Sequence, residues 1–267
     1  MTDNPRLADF LGAAEVDAAV ALLRPDYRVL LVGVDGMTPG PSDEASERML
    51  VRAESMARDL LADASVEELP HVLAWREAYR SFGAKPQRTR NSLEALVRRA
   101  AGGLPRVNRL TDVYNAVSVI HQVPLGGEDL PAYAGPPRLV RATGAEVFDT
   151  VAGGVDVDEH PEPGEVVWRD AVGVTCRRWN WRQCRRTQLT AHTTSAVFIL
   201  DALAPLSDDA LVAAGDELAD HLARLGPVVG VATRLIAPTV PQARRATYGD
   251  GRLPAPPSAH PGDQEQP

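Results

Sequence analysis

The order of helix-like and strand-like hydrophobic patterns limits the fold of this chain more than any other feature. Apolar residues at helical spacing predict helices towards both ends, while the middle holds short β-like runs separated by Gly and Pro. Predicted helices begin near residue 42, cover 67–80, run from 91 to the glycines at 102–103, and begin again near 207; predicted strands cover 28–34, 138–141, 165–169, 196–201 and 227–236. This order predicts one α+β domain.

Capping side chains mark where three of the helices begin. Ser42 is the expected N-cap of the first, because two acidic residues follow it in the first turn. Asn91 is expected to cap a later helix, with Glu94 as its capping-box partner, and Ser207 to cap the last one.

Length and composition are those of a globular protein. The chain has 267 residues, of which 44% are hydrophobic and 24% charged, so it can bury a sizeable core. The polar start, Met1–Pro5, predicts no signal peptide and a cytoplasmic location, in which Cys176 and Cys184 are expected to be free thiols. The segment 241–267 has little to bury and is predicted to be a disordered tail.

The basic residues are almost all arginine and are concentrated in two regions. The net charge is -8 and Lys85 is the only lysine. An acidic protein does not attract nucleic acid over its whole surface, but a local arginine face can still bind it. The arginines that form these two regions are Arg76, Arg80, Arg88, Arg90, Arg98 and Arg99, and then Arg177, Arg178, Arg182, Arg185 and Arg186.

The chain lacks the short motifs of several common enzyme classes. It contains no Gly-x-Gly-x-x-Gly, no phosphate-binding Gly-x-x-x-x-Gly-Lys and no Gly-x-Ser-x-Gly nucleophile elbow. The histidines are scattered, and neither a His-x-x-x-His pair nor a Cys-x-x-Cys occurs. The sequence therefore predicts no metal site and no cofactor.

Several segments between about 75 and 205 form an ordered set. Residues 110–118 read Leu-Thr-Asp-Val-Tyr-Asn-Ala-Val-Ser, and Val123-Pro124-Leu125 follows, leading to Asp129. The other members cover 75–83, 94–99, 164–170 and 176–182. The first segment is similar to the Asp-Val-x-Asn-x-Val signature of the B3/4 domain, and the set resembles that domain, the editing domain of the phenylalanyl-tRNA synthetase β subunit.

This resemblance implies a stand-alone B3/4 domain over residues 1–240, with a mixed β-sheet core flanked by helices. The implied activity is that of a trans-acting aminoacyl-tRNA deacylase, a hydrolase whose cleft takes the 3′ end of a misacylated tRNA. The synthetase domains often carry a histidine two residues after the proline, where this chain has Gly126, so that role cannot be transferred. Two alternatives stay open: an RNA-binding module without hydrolysis, and a hydrolase or binder of a small amino-acid-like ligand.

Seven residues are candidates for catalysis. An aminoacyl ester is already activated, so an enzyme needs mainly to position water and to stabilise the oxyanion. His192, Thr193 and Thr194 can orient water or contact the amino acid, although they can equally be a surface segment that leads into a strand. The remaining candidates are His121, whose alternative role is structural; Glu128 and Asp129, which can act as base, bind the ammonium group or form a solvated turn; and Asn115, which can fix the backbone.

The expected tRNA-binding residues follow the two arginine regions. If the segment 176–186 is extended, Trp179 and Trp181 share one face, where guanidinium groups can clamp phosphates and an indole can stack on a base. The alternative places both indoles in the core and the arginines in water. The candidates are Arg98, Arg99, Arg177, Arg178, Asn180, Trp181 and Arg182.

A polar pocket is expected around Thr190 and the His192 segment, because such a pocket rejects substrates that leave its donors or acceptors unpaired. The expected substrate is therefore polar or substituted: tyrosine on phenylalanine tRNA by family analogy, or a noncanonical threonine-like amino acid.

Overall fold

The computed structural model describes residues 4–237 of the chain. Its helices are α1 Pro5–Gly12, α2 Ala18–Leu23, α3 Glu44–Leu60, α4 Pro70–Ser81, α5 Ser92–Ala100, α6 Arg109–Ile120 and α7 Asp208–Leu222. Its strands are β1 Glu15–Val16, β2 Arg28–Asp35, β3 Leu125–Asp129, β4 Arg138–Arg141, β5 Phe148–Ala152, β6 Val155–Glu159, β7 Val166–Arg169, β8 Val174–Arg177, β9 Arg182–Gln183, β10 Ser195–Ala202 and β11 Gly230–Ile236. Within these residues no helix combines the length and the apolar composition that a membrane span needs.

An antiparallel sheet of four strands, in the order β11-β2-β10-β3, forms the centre of the fold. All eight residues of β10 are buried, so this strand has packing partners on both faces. Side chains alternate along it: Phe198 and Leu200 join one hydrophobic core, whereas Val197 and Ile199 join a second. The sheet therefore separates two cores.

Helices α3, α6 and α7 cover the first face of this sheet. Their apolar stripes pack against one another and against β2. α7 lies very close to β2, because a Cβ atom at Gly215 would collide with Leu30. This helical layer sets the position of α6, which carries the 110–118 signature segment.

A second sheet, in the order β1-β4-β7-β8-β9, and helix α4 cover the other face. The core between the sheets is rich in indole rings, with Trp75 and Trp168 fully buried beside Trp179. The ring centroids of Trp75 and Trp179 lie 5.2 Å apart in an edge-to-face arrangement, a favourable geometry for aromatic pairs. The hairpin β5-β6 forms a separate small sheet.

The predicted α+β class is confirmed, and β2, β4, β7 and β10 lie where strands were expected. Ser207 caps α7 as predicted. The N-cap of α3 is Asp43 rather than Ser42, because the Asp43 carboxylate accepts the backbone N–H groups of Ala45 and Ser46. Segment 109–120 is helical, which periodicity alone had not indicated. The tail 241–267 lies outside the described residues.

Helix α5 begins as predicted but uses Glu94 differently. The Asn91 side chain caps the helix by accepting the backbone N–H of Glu94. The Glu94 carboxylate, expected to complete a capping box, is fully buried and accepts a 2.8 Å hydrogen bond from Arg76 instead. Tertiary pairing has therefore replaced a local helix cap.

Candidate active site

A cavity of about 250 Å³ lies where the two sheets meet α5 and α6. Four of the segments that resemble the B3/4 domain contribute to its wall. The lining residues are Ser92, Ala95, Leu96, Tyr114, Asn115, Leu125, Gly126, Glu128, Trp168, Cys176, Trp179, Asn180, Trp181, Gln183, Ile199 and Asp201. Segments far apart in the sequence thus form one concave site, the usual form of a ligand pocket.

Two carboxyl groups, Glu128 and Asp201, reach this cavity from neighbouring strands of the central sheet. Their residues are 1% and 2% exposed, respectively. Burial raises the pKa of Glu128 to about 7, although the hydroxyl of Tyr133 donates to its carboxylate and opposes that rise. The Glu128 carboxyl group can therefore gain or lose a proton near neutral pH.

Asp201 has a defined hydrogen-bonding environment. The Tyr27 hydroxyl donates to its Oδ1 at 2.6 Å, and Asn180 Nδ2 donates to its Oδ2 at 3.4 Å. Burial raises the pKa of Asp201 to about 7 despite these bonds, and negative charge on Glu128 raises it further. A negative charge on Glu128 therefore disfavours the ionisation of Asp201.

The position of the usual family histidine is occupied differently here. A Cβ atom at Gly126 would lie 3.2 Å from Nε2 of Gln183, so the Gln183 side chain already extends over this glycine. Gln183 is held there because its Nε2 donates to the Gly127 carbonyl at 2.7 Å. An amide side chain thus lines the cavity wall beside Gly126.

The extended segment on which Trp179 and Trp181 were expected to share one face is interrupted. Arg178 and Trp179 have φ angles of 48° and 69°, so the chain turns here instead of continuing as a strand. Both indoles line the cavity, but Trp179 is fully buried whereas Trp181 is half-buried. The guanidinium carbons of Arg178 and Arg182 lie 4.6 Å and 4.8 Å from the Trp181 ring centroid, which is cation–π distance.

The expected contact of Arg177 with tRNA is also wrong, because its guanidinium is buried and already paired. Arg177 is 6% exposed and makes two hydrogen bonds of 2.9 Å and 2.8 Å to the Glu165 carboxylate. It also donates to Glu159, which accepts a further bond from Arg182 at 2.7 Å. Arg177 is therefore a structural residue of the second sheet.

The other basic candidates lie at the surface. Arg98 is exposed and pairs with Glu67 and with the buried Glu94. Arg99 is exposed beside it on α5, the helix that also supplies Ser92 to the cavity. Asn180, expected to contact RNA, is instead a buried wall residue whose Oδ1 accepts from the Tyr79 hydroxyl at 2.9 Å.

The catalytic candidates divide between the cavity and other places. Asn115 and Glu128 line the cavity. His121 lies outside it and contacts Glu217 of α7 at 2.7 Å.

The 192–194 segment also lies outside the lining. His192 and Thr194 are exposed, and Thr193 Oγ1 donates to Asp129 Oδ2 at 2.6 Å. Asp129 and the 192–194 segment therefore lie outside the cavity that Glu128 lines. Asp129 and Glu128 are adjacent on a strand, so their side chains point to opposite sides.

Both cysteines are buried free thiols, as expected. Burial raises the pKa of Cys184 to about 11 and that of Cys176 well above its usual value. Neither thiol is ionised near neutral pH, and the thiolate is the reactive form. Cys176 therefore contributes a wall to the cavity rather than a nucleophile.

Asp201 was missed by sequence reasoning. It occupies the end of an otherwise apolar strand, and the predicted strand 196–201 included it only as a boundary. The signal that could have identified Asp201 is an acidic residue directly after an apolar run that is expected to be buried. Buried charges are rare unless they have a partner or a function.

Comparison with known proteins places the chain in a family. The sequence profile of the B3/4 domain matches residues 74–212, just over half of the 267 residues. An N-terminal fragment of the phenylalanyl-tRNA synthetase β subunit from Pyrococcus horikoshii has a similar structure, with a TM-score of 0.41 and 13% identity over 82% of this chain and 50% of that fragment. The chain thus spans about half the length of the fragment. No curated protein sequence matches it. The chain belongs to the B3/4 domain family.

Proposed function

We propose that this protein is a trans-acting deacylase that hydrolyses the ester of a misacylated tRNA, with the aminoacyl group in the cavity. The observation that carries the proposal is the pair of buried carboxyl groups, Glu128 and Asp201, with pKa values near 7 in one indole-walled cavity. The volume of about 250 Å³ lies below the roughly 300–1,000 Å³ of drug-sized pockets and suits one aminoacyl group. Membership of the B3/4 family supports the same assignment.

The carboxyl pair can divide two tasks. With both groups ionised, a state that the positive charge of the bound substrate favours, the α-ammonium group of the substrate binds Asp201, whose orientation Tyr27 and Asn180 fix. Glu128 then accepts a proton from water, and the water oxygen attacks the ester carbonyl carbon. The carbon–oxygen bond to the ribose breaks, and the proton passes to the ribose oxygen. A base whose pKa lies near the working pH is the most effective one.

Amide groups provide the remaining polar contacts. Asn115 on α6 and Gln183 on β9 line the cavity and carry N–H donors that can stabilise the negative oxygen of the tetrahedral intermediate. Arg178 and Arg182 lie over the ring of Trp181, and their guanidinium planes extend this planar stack, on which the terminal base can be placed. Arg98 and Arg99 on α5 remain proposed phosphate contacts.

A second candidate is a hydrolase or binder of a small amino-acid-like ligand without RNA. Internal pairing of the arginines favours it, since Arg177 and Arg182 share Glu159 and Arg186 pairs with Asp170. Each such pair removes positive charge that a nucleic acid would need.

The test is to incubate the pure protein with a panel of aminoacyl-tRNAs, including tyrosine on phenylalanine tRNA and noncanonical threonine analogues, and to follow ester loss. We expect selective hydrolysis of one or two members. Glu128→Gln should lower the rate by about 10²–10⁴-fold, the usual contribution of a general base. Asp59→Asn, an exposed carboxylate at the end of α3, is the matched control. Binding without ester loss would favour an RNA-binding module, and loss from free amino-acid esters alone would favour the small-ligand candidate.

A further inference from the structure

A groove leads away from the cavity. It has a volume of about 700 Å³ and shares Tyr114 and Gln183 with the cavity wall, so the two spaces adjoin each other. Its other polar side chains include Asn108, Thr111 and Thr190. These groups are neutral donors and acceptors, which suit a polar strand without selecting its charge.

The groove continues to a pocket lined by arginines. Gly40 and Asn108 line both the groove and a narrow space beside it. Arg109 and Leu225 also line this narrow space. Arg109 and Leu225 in turn line a pocket of about 410 Å³ between the beginnings of α3 and α6 and the end of α7. Cavity, groove and pocket therefore follow one another as a path, and the Arg109 side chain lies between the groove and the pocket, where its Nη2 donates to the Leu225 carbonyl at 3.1 Å.

This pocket has more basic than acidic side chains, although the whole chain carries a net charge of -8. It is lined by Arg48, Arg52, Arg109, Arg224 and His221 and by one acidic residue, Asp43. Glu44 and Glu217 lie outside the lining and pair with Arg48 at 3.0 Å and with Arg52 at 2.8 Å, so within the described residues Arg224 is the arginine that carries unpaired charge.

The Asp43 carboxylate is occupied by the N–H groups that it caps. Within residues 4–237, Arg224 makes no ion pair. The Arg109 guanidinium donates through Nη2 to the carbonyl oxygens of Thr38 and Leu225, and its Nε has no hydrogen-bond partner. Positive charge concentrated in a concave site attracts anions more strongly than the same charge spread over a convex surface.

We propose that this path binds the single-stranded 3′ end of the RNA, with a backbone phosphate in the arginine pocket. The inference rests on the proposed function, because the proposed function places the aminoacylated 3′ end of the strand in the cavity. Tyr114 and Arg109 lie five residues apart on α6, about 7.5 Å at 1.5 Å per residue. An unpaired strand covers such a distance within a few nucleotides, so the phosphate that we place in the pocket is one close to the terminal nucleotide.

The test uses Arg48→Gln combined with Arg224→Gln. Both arginines are exposed, so the variant should fold like the wild type, which the melting temperature checks. We expect its KM for the aminoacyl-tRNA substrate to rise about 10-fold, and the slope of log binding constant against log salt to become shallower by about one unit, as for one or two lost phosphate contacts. The rate at which the variant hydrolyses the ester of the same amino acid with adenosine should be unchanged, because adenosine has no upstream phosphate.

The matched control combines Arg58→Gln with Arg138→Gln, two exposed arginines outside this path. An unchanged KM and salt slope in the pocket variant, or an equal change in the control, would overturn the inference while leaving the proposed function intact. If the wild type neither binds nor hydrolyses any aminoacyl-tRNA, the proposed function fails and the inference fails with it. An equal loss on aminoacyl-adenosine would also overturn it, because the pocket would then act on the cavity rather than on a phosphate.

Discussion

The carboxyl groups of Glu128 and Asp201 make the folded protein less stable as the pH rises. Glu128 has a pKa of about 7 when folded and a usual value of 4.5. Below pH 4.5 it is protonated in both states, so burial costs nothing. Between pH 4.5 and 7 only the unfolded state is ionised, and this favours unfolding increasingly. Above pH 7 the penalty is constant.

Glu128→Gln should remove the part of this pH dependence that Glu128 contributes. The difference in unfolding free energy between the variant and the wild type should shift in favour of the variant by on the order of 1–3 kcal/mol between pH 4.5 and 7, and stay constant above. Urea unfolding at several pH values measures it. The control Asp59→Asn should give a flat difference. A flat difference for Glu128→Gln as well would show that this carboxyl group is ionised in the folded protein.

Neighbouring arginines should respond very differently to truncation. Arg177→Ala leaves the Glu165 carboxylate, with a 2% exposed side chain, without its main partner, and breaking a buried pair costs about 3–5 kcal/mol. Arg178→Ala removes a partly exposed group and a cation–π contact, at about 1 kcal/mol or less. Urea midpoints measure both, and RNA affinity should fall selectively in the Arg178 variant. Equal destabilisation would contradict these assignments.

Sequence reasoning reached the site only where a local pattern marked it. Asn115 and Glu128 were identified because they lie in the segment that resembles the B3/4 signature. Asp201 and Gln183 lie outside any such signature, and only strand pairing brings them to the cavity. His192 attracted attention through its residue type, yet it is exposed. Residue type and local spacing do not reveal which side chains face a common space.

At the scale of elements, strands with two buried faces were the most predictable. Apolar runs such as 28–34 and 196–201 indicate a strand directly. The turn after β8 was not predictable, because Arg178 and Trp179 have positive φ angles. Neither residue type favours this backbone conformation, so the sequence gives no signal for it. Helix α6 was missed because its β-branched residues weaken the helical pattern, and tertiary packing overrides that propensity.

Strand β3 should tolerate a methyl group on one face and not on the other. A Cβ atom at Gly127 would lie 2.6 Å from Phe198 Cε1 and 2.8 Å from Leu189 Cδ1. Phe198 is fully buried and cannot move aside, so Gly127→Ala should cost about 1–3 kcal/mol through overpacking.

Gly126→Ala is the matched control for that strand, since its new methyl group meets the end of the flexible Gln183 side chain. Its cost should be clearly smaller in urea unfolding. The reverse order of stability would show that β3 packs with the other face towards the helices.

At the scale of the whole molecule, the cavity exists only because distant segments pair. β2 and β10 pair along their whole length, from Arg28 opposite Ala202 to Asp35 opposite Ser195. The paired residues are separated by more than half of the chain. The signature helix α6 and the turn after β8 then meet beside β3. A single sequence carries the fold class in its local patterns, but this long-range register cannot be derived from them, so neither could the site.

A ligand that fills the cavity should therefore stabilise both sheets together. A nonhydrolysable aminoacyl-adenosine amide at 100 times its Kd should add about 2.7 kcal/mol and raise the melting temperature by about 5–10 °C. Hydrogen exchange should slow in β3 and β10 of one sheet and in β8 of the other, because residues of all three strands line the cavity. Glu128→Gln combined with Asp201→Asn should reduce both effects, since the ammonium group then lacks a carboxylate. If hydrogen exchange slowed only in residues 190–194, the aminoacyl group would instead bind in the outer groove, and His192 would again be a candidate catalytic residue.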